Sequence, residues 1–416
     1  MNRQSYFYQL LLVISLLLTF TLSVTTAIAK PTTLKIGLFN LLKPKTIDIE
    51  LITDEIVAIK SQENSKEIPS KILSLNQSLT LVAKASKITC YLKNSQKTVI
   101  KKWEVEQLSL SGNNSLSLFI ADRLKRQIPA QVSFYAKNGL LYTTLLTNLE
   151  DTTKIAIASE VSEINDISDT QALAIFKTFA VVVRSYIEAE KGRHHQEGYD
   201  ICDNTHCLLY LGEDSLANSK QASVVTQAVI ETKSQVLKFK DKIVPTYFTA
   251  CCGGLTALPT DVWTGKQRSP YPFSSIKCNY CKHDRFYVWE RTIAAKQLWK
   301  ALQTMLNFRP SAETKLIPIY NDKGVVTALN IKENNYKTKI SAAKFRHLVG
   351  KTLGWNIVLS NFYQVKFQHQ QITFVGKGFG HNLGLCLAGA SEQARQDRSF
   401  LEILEFYFPN TNLSAN

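Results

Sequence analysis

The sequence has no internal repeats and no low-complexity segments, which excludes solenoid and repeat-array folds. After residue 30 it has no apolar run long enough to span a bilayer, which excludes a protein with several transmembrane helices. Acidic residues are scarce relative to basic ones, with 34 Asp and Glu against 49 Lys and Arg. The chain of 416 residues is nevertheless 45% apolar, which is ample for a buried core.

The net charge of +15 comes from Lys and Arg spread along the whole chain. It indicates either a solvated basic surface or attraction to a polyanion such as nucleic acid, anionic lipid or an acidic wall polymer. The segment MNRQSYFYQLLLVISLLLTFTLSVTTAIAK combines one Arg, an apolar run and an Ala-x-Ala cleavage pattern. We therefore expect residues 1–29 to be a signal peptide or, if uncleaved, a membrane anchor.

Export places the globular part in an extracytoplasmic compartment, the periplasm or the cell wall. That location argues against nucleic acid as the partner of the basic surface and favours envelope glycans or lipid headgroups. We expect contact with a membrane only if the N-terminal segment remains uncleaved.

Residues 30–148 have the pattern of an accessory β-rich region, with short strand-like runs between polar turns. Within it, Asn138-Gly139 predicts a type I′ hairpin turn. A long helix is predicted next, because Ser168 and Gln171 have capping-box spacing and Gly192 can end the helix. Helices and hairpins alternate from there onward. We therefore predict an α+β fold, with residues 149–416 as a second domain rich in mixed and antiparallel strands.

The chain has eight cysteines, and six of them lie between Cys202 and Cys281. The eight are Cys90, Cys202, Cys207, Cys251, Cys252, Cys278, Cys281 and Cys386. His195, Cys202 and Cys207 offer three ligands that suit Zn²⁺ and leave one position for water or substrate. The alternative is a Cys202–Cys207 disulfide beside an exposed His195. The CNYC pair with Cys251 and Cys252 allows a second zinc site or two disulfides, and an oxidising compartment favours the disulfides.

Cleavage of a glycosidic bond needs a carboxylic acid that is still protonated near neutral pH. The pKa of a Glu must then rise from about 4.3 toward about 6–7 through burial. Glu160 and Glu163 are the candidates, because they follow the apolar run IAIA, which would desolvate a carboxyl. The alternative is that both are exposed loop glutamates.

The stretch GKGFGHNLGLCLAGASEQARQ places four glycines around His381 before a helical pattern begins. A glycine-rich turn, a phosphate cradle and an anion site at the following helix N-terminus are all compatible with it. No Lys-Ser/Thr pair follows, as a P-loop would require, and we expect no nucleotide cofactor.

Five stretches occur in an order that resembles the SpoIID/LytB family of cell-wall proteins, the stage II sporulation protein D type. They are AIFKTFAVVVRSY, YDICDNTHCLLY, AVIETKSQVLKFKDKIV, CGGLTALPTDVW and GKGFGHNLGLCLAGA with its continuation EILEFYFPNTNL. Each stretch alone is a weak signal, whereas the series from about Glu160 to Leu413 is specific.

The resemblance implies a β-rich domain whose few helices line a glycan groove, and residues 149–416 as that catalytic domain. The family includes lytic transglycosylases, which cut peptidoglycan strands without water and leave a 1,6-anhydro-muramic end. It implies Glu160, in a segment that resembles a strand end, as the single general acid and base, with Glu163 second. It also implies a structural zinc at His195, Cys202 and Cys207.

The partners implied are peptidoglycan glycan strands, with other cell-wall hydrolases as further partners. The residues that match family positions are the expected substrate-binding residues. They are Lys177, Arg184, Ser185, Tyr186, Gly253, Gly254, Thr256, Gly378, Gly380, His381 and Gly384.

Three positions depart from the family pattern. Ala174 replaces a Glu, Leu387 replaces a Gln, and Asn382 replaces a Gly. These departures suggest the alternative of a protein that binds wall glycan or enhances an amidase without cleaving glycan itself. A zinc hydrolase with an open metal position is a third hypothesis.

Overall fold

Strands dominate the first part of the chain, and strands mixed with helices follow, which confirms the predicted α+β class. The structure is a computed structural model. It describes residues 33–53, 56–63, 66–121, 124–161, 164–263, 270–306, 308–311, 313–368 and 370–415. The expected signal segment lies outside these residues. In the described part of the chain, no helix is long and apolar enough to cross a membrane.

Ten strands precede the first described helix. They are β1 (Thr33–Leu38), β2 (Thr46–Leu51), β3 (Val57–Glu63), β4 (Lys66–Leu73), β5 (Gln77–Lys84), β6 (Lys87–Asn94), β7 (Val99–Val105), β8 (Gln107–Ile120), β9 (Leu124–Lys137) and β10 (Leu140–Asn148). Shorter strands follow. They are β11 (Ile201–Cys202), β12 (Gln235–Phe239), β13 (Lys242–Ile243), β14 (Phe248–Thr249), β15 (Val288–Ala294), β16 (Lys315–Tyr320), β17 (Val326–Glu333), β18 (Tyr336–Ser341), β19 (Phe362–Gln368), β20 (Gln371–Lys377), β21 (Leu385–Cys386) and β22 (Asn412–Ala415).

The described helices all follow β10. They are α1 (Leu149–Glu160), α2 (Asp169–Glu190), α3 (Glu213–Ala217), α4 (Ala222–Glu231), α5 (Pro259–Val262), α6 (Ala295–Leu302), α7 (Ala342–Leu353), α8 (Leu387–Arg395) and α9 (Phe400–Tyr407). Short 3₁₀ turns cover His195–Glu197 and Gln303–Met305.

A large sheet contains the first ten strands. Its main path runs β11-β1-β10-β9-β8-β2-β5-β6-β7, with β3 paired to β8 and β4 paired to β3. The predicted hairpin is confirmed, because Asn138 and Gly139 join β9 to β10 with φ of 54° and 72°, as a type I′ turn requires. Strand β11 pairs in parallel with β1 and brings Cys202 to the sheet edge opposite Gly37.

Helix α2 is buried along most of its length. Its capping box is present as predicted: the Ser168 side chain accepts from the Gln171 backbone N–H, and the Gln171 side chain accepts from the Ser168 N–H. Its interior includes fully buried Phe176, Phe179 and Val183. Helix α2 therefore forms the centre of the larger core, beneath α1, α4 and β12.

Helix α1 corrects the expectation that the segment before Glu160 ends a strand. Asn148 caps the helix by accepting from the Asp151 N–H at 2.8 Å. The Ile and Ala residues that alternate in sequence are buried around most of the helix circumference. An apolar run that is buried on several sides has the same composition in a strand and in a helix. The Asn148 cap favours the helix here.

Residues 288–377 form a smaller unit with its own hydrophobic core. It contains the antiparallel sheets β15-β20-β19 and β16-β17-β18, packed with α6 and α7. Strand β20 leads directly out of this unit into the glycine-rich stretch that contains His381.

A buried ion pair joins the large sheet to the segment after β11. Arg126 on β9 donates to Asp203, and the two side chains are 6% and 4% exposed. The Asp203 carboxylate also accepts the backbone N–H groups of Phe39 at 2.6 Å and Asn40 at 3.2 Å. Three donors therefore compensate for the burial of one carboxylate.

Substitution Arg126→Met should lower the free energy of unfolding by about 3–5 kcal/mol, because it leaves the Asp203 carboxylate buried without its counter-charge. The matched control is Lys125→Met, at an exposed neighbour on the same strand, where we expect a change within about 0.5 kcal/mol. Urea denaturation of the two variants measures both values. A loss below about 1 kcal/mol for Arg126→Met would show that the pair does not carry this role.

Candidate active site and cysteine clusters

Glu160 is the last residue of α1, and its carboxyl is partly enclosed. Its Oε1 accepts one hydrogen bond, from the Leu209 N–H at 2.8 Å. Burial raises the pKa of Glu160 to about 7, and the bond from Leu209 opposes the shift only in part. The negative end of the helix dipole also lies here, and no basic residue stands in the last turn. The raised pKa allows Glu160 to carry its proton closer to neutral pH than an ordinary Glu does. Glu163 lies outside the described residues.

Four donor side chains come together in the segment that precedes Leu209, and we call them the thiol–imidazole cluster. It consists of His194, Cys202, His206 and Cys207, whose ligand atoms all lie within 4.8 Å of one another. His194 Nε2 is 3.2 Å from Cys207 Sγ, and His206 Nδ1 is 3.6 Å from Cys202 Sγ and 3.5 Å from Cys207 Sγ. Hydrogen bonds from the Cys207 thiol and from His206 lower the pKa of Cys202 to about 4.

The expected metal ligand His195 does not join this cluster. Its side chain is exposed, and its Nδ1 lies 3.2 Å from the Gly192 carbonyl oxygen. The adjacent His194 turns inward instead and bonds through Nδ1 to Glu197, which also accepts from Tyr199 at 3.0 Å. Sequence reasoning missed His206 as well, although a His directly before the second Cys of a C-x₄-C pair is a usable signal.

A second group, which we call the four-thiol cluster, contains Cys252, Cys278, Cys281 and Cys386. All four thiols are buried, and the sulfur atoms of Cys252 and Cys281 are 3.6 Å apart. All eight cysteines of the chain are unpaired in the structure, so neither the Cys202–Cys207 disulfide nor the expected disulfides further along are formed. Cys386 was not predicted as a partner of the other three cysteines.

The glycine-rich stretch forms a tight loop against the segment around Cys251. Gly378, Gly380 and Gly384 all have left-handed φ, at 77°, 116° and 73°. A Cβ at Gly384 would collide with the Tyr247 carbonyl, so close backbone approach accounts for the glycine there. Asn382 also has positive φ, and its amide donates to the carbonyls of Cys252 at 3.0 Å and Cys251 at 3.4 Å, which explains how Asn replaces a family Gly.

His381 is a neutral imidazole in this loop. Burial, with the nearby Arg346 charge, lowers the pKa of His381 to about 3. Its Nδ1 accepts the Leu383 N–H at 3.0 Å, so the ring proton is on Nε2. The ring packs 5.7 Å from the partly exposed Trp263 and 6.3 Å from Tyr247, measured between centroids. Trp263 and Tyr247 are aromatic neighbours of the kind that pack against sugar rings, and neither was predicted as a site residue.

Several expected substrate-binding residues have partners inside the protein. Arg184 is fully buried and donates to Glu150 at 2.7 and 3.1 Å and to the Gln235 carbonyl at 3.0 Å. Ser185 is also fully buried and accepts the Leu237 N–H at 2.8 Å. Arg184 and Ser185 therefore fix α2 against α1 and β12 and do not bind substrate as expected. Substrate has no access to a side chain that is enclosed on all sides.

The remaining expected residues divide between packing and the loop. Lys177 pairs with Glu231, and Tyr186 is buried with its ring 6.0 Å from that of Tyr247. Thr256 is buried and accepts the Ile276 N–H at 2.7 Å. Gly253 and Gly254 adopt positive φ; a Cβ would collide with the Gly378 backbone at Gly253 and would be in tight contact with Tyr287 at Gly254. No hydrogen bond or ring contact joins Glu160 to His381 in the described residues.

Several known proteins resemble part of this chain. Residues 148–239 match the family model described as SpoIID, Stage II sporulation protein. An uncharacterised protein of Brachyspira hyodysenteriae is 28% identical over 282 residues, which cover 67% of this chain and 70% of that protein. Stage II sporulation protein D of Bacillus subtilis is 27% identical over 254 residues, 59% of this chain and 67% of that protein. The amidase enhancer of the same species is 22% identical over 299 residues, 60% of this chain but only 39% of its own length.

The matched segment 148–239 contains Glu160 and the whole thiol–imidazole cluster. The relatives extend the similarity over more of the chain than the family model covers. These matches support the assignment of the chain to the SpoIID/LytB family.

Proposed function

We propose that the protein is an exported lytic transglycosylase that cleaves peptidoglycan glycan strands, with Glu160 as general acid and base. The family and the names of its relatives support a role related to the cell wall. The observation that carries the finer proposal is the Glu160 carboxyl, whose pKa burial raises to about 7. The basic surface and the N-terminal signal pattern support a location in the envelope.

The reaction needs one carboxyl and no water. Protonated Glu160 gives its proton to the glycosidic oxygen as the bond from that oxygen to C1 of the muramic residue breaks. The C6 hydroxyl of the same residue attacks C1, and the Glu160 carboxylate takes the hydroxyl proton. The products are a free 4-hydroxyl and a 1,6-anhydro end, and Glu160 is again protonated. Hydrolases with a carboxylate pair differ in that they must also activate a water or form a covalent intermediate.

The neutral His381 is suited to bind glycan without charge. Its Nε2–H is a donor for a sugar hydroxyl or N-acetyl oxygen, and Trp263 and Tyr247 beside it offer apolar ring faces. The positive charge of the chain would attract the acidic wall polymer. We assign binding to this loop and the proton transfer to Glu160.

We further propose that the thiol–imidazole cluster holds a structural Zn²⁺. Two imidazoles and two thiols are a common zinc donor set, and the observed N–S separations of 3.2–3.6 Å are close to the roughly 3.6 Å of a tetrahedral site. Four protein ligands close the coordination sphere, which argues against the zinc hydrolase hypothesis. The ion would fix the segment whose Leu209 N–H donates a hydrogen bond to Glu160.

A second candidate function is an amidase enhancer or wall-binding protein without cleavage activity. The observation that favours it is that Ala174 and Leu387, at family Glu and Gln positions, are apolar side chains packed against the core. It predicts that the protein binds wall glycan without producing anhydro ends at any protein concentration.

Substitution Glu160→Gln should reduce release of anhydro-muropeptides from purified glycan strands by roughly 10²–10⁴-fold, because the amide cannot donate or take the proton. The Gln oxygen can still accept from Leu209, so the fold should persist. Glu405→Gln, at an exposed position, is the matched control and should keep full activity. Unchanged product release by Glu160→Gln, measured by liquid chromatography and mass spectrometry, would overturn the assignment.

The pH dependence follows from the raised pKa of Glu160. The general acid must be protonated, so kcat/KM should fall about tenfold per pH unit above a pH of about 7. Because the folded pKa lies above the ordinary 4.5, wild type should also lose stability relative to Glu160→Gln as pH rises from about 4.5 through 7. Activity profiles and thermal melts across pH 4–9 test both signs, and a melting difference that is flat with pH contradicts the raised pKa.

Substitution His194→Ala should remove about one zinc ion per chain, whereas the neighbouring His195→Ala should remove none. The reason is that only His194 faces the thiols, although both histidines are adjacent in sequence. Inductively coupled plasma mass spectrometry on protein purified with zinc present gives the metal count. Loss of zinc in His195→Ala with retention in His194→Ala would contradict the ligand assignment.

A further inference from the structure

The four-thiol cluster brings together three separate segments of the chain. Cys252 follows β14, Cys278 and Cys281 form the CNYC loop, and Cys386 ends β21 and caps α8. Their sulfur atoms all lie within 4.8 Å of one another, and none of the four residues is more than 1% exposed. We propose that this cluster is a second, structural metal site that binds Zn²⁺ through four thiolates.

The arrangement of the sulfur atoms fits one central ion. A tetrahedral zinc with bonds of about 2.3 Å separates its thiolates by about 3.8 Å, and Cys252 and Cys281 are 3.6 Å apart. A disulfide needs two sulfurs at about 2.05 Å and pairs each thiol with one partner only. Here each sulfur lies near the other three. An iron–sulfur cluster places several irons between its thiolates and requires them farther apart than these are.

The surroundings of the sulfurs are those of bound thiolates. Cys386 Sγ accepts N–H groups from Cys252 at 3.2 Å and from Gly389 at 3.4 Å, in the first turn of α8. Tyr407 is positioned to donate its hydroxyl to Cys278 Sγ at 3.2 Å. Such donors to sulfur stabilise the negative charge that four thiolates around Zn²⁺ leave over.

Gly389 gives an independent indication that α8 must lie close to the four sulfur atoms. It lies in the first turn of α8, although glycine favours the helical conformation less than alanine does. A Cβ at this position would come within 2.7 Å of Cys278 Sγ and would also collide with the Tyr407 hydroxyl. The glycine therefore allows the helix to approach the cluster closely enough for Cys278 and Cys386 to share one ligand sphere.

The metal would hold the loop that contains His381. Cys251 N–H bonds to the Phe379 carbonyl at 3.1 Å, and Asn382 bonds to the carbonyls of Cys251 and Cys252. Strand β21, which ends in Cys386, closes the loop from its other end. An ion at the four-thiol cluster thus ties both ends of the glycine-rich loop to the CNYC segment. This inference does not depend on glycan cleavage.

The test is the metal content and thiol state of the full-length protein purified with zinc present. We expect two zinc ions per chain in wild type and one in the double variant C202S/C207S, which retains the four-thiol cluster. Replacement of that remaining ion by Co²⁺ should give the visible absorption and the sulfur-to-metal charge transfer of a tetrahedral thiolate site. Cys386→Ser should lose one ion relative to wild type, whereas Cys90→Ser, at a buried thiol outside both clusters, should keep both.

Two results would overturn the proposal. One is a C202S/C207S protein that is folded by circular dichroism but binds neither zinc nor Co²⁺. The other is an intact mass, measured without reductant, that is lower than the mass of the reduced protein by two hydrogens for each disulfide formed among the four cysteines. Since neither readout uses glycan, failure of the transglycosylase proposal leaves this test unaffected, and the reverse also holds.

Discussion

The candidate active site depends on the desolvation of one carboxyl at the C-terminal end of α1. The preceding turns of the helix are buried, the helix dipole disfavours negative charge at this end, and one backbone N–H supports the carboxylate. The balance raises the pKa of Glu160 to about 7. With several donors the carboxyl would stay ionised and could not act as an acid, and without any it would stay protonated and could not act as a base.

The rest of the structure fixes the groups around that carboxyl. Leu209, which donates to Glu160, lies two residues after Cys207 of the thiol–imidazole cluster. The same segment is attached to the large sheet by the pairing of β11 with β1 and by the buried pair Arg126–Asp203. The β-rich first part of the chain therefore supports the site through the segment after β11. A metal ion at the four-thiol cluster would anchor the glycine-rich loop that contains His381 in a comparable way.

The sequence predicts elements whose signals are local. The capping box at Ser168 and the Asn138-Gly139 turn depend on hydrogen bonds and φ values within a few residues, and both are present. The ordered motifs indicate the SpoIID/LytB family without any knowledge of the fold, and the match over residues 148–239 supports it. The strand expected before Glu160 is wrong, because burial on several sides removes the periodicity that separates a helix from a strand.

Site residues defined by long-range contacts could not be predicted in the same way. His194 and His195 are adjacent in sequence, and the local fold determines which ring faces the thiols. Cys386 lies more than a hundred residues from Cys281, so its place in the four-thiol cluster follows from the tertiary fold. Arg184 matches a family motif, but the motif does not reveal that its charge is neutralised inside the protein by Glu150.

The most direct measurement of the central claim is the titration of the Glu160 carboxyl itself. Protein labelled with ¹³C at glutamate side-chain carboxyls allows this by NMR, and the Glu160 resonance is the one absent from Glu160→Gln. The account predicts a titration midpoint at a pH of about 7. A midpoint below about 5, the range of an ordinary exposed Glu, would contradict it.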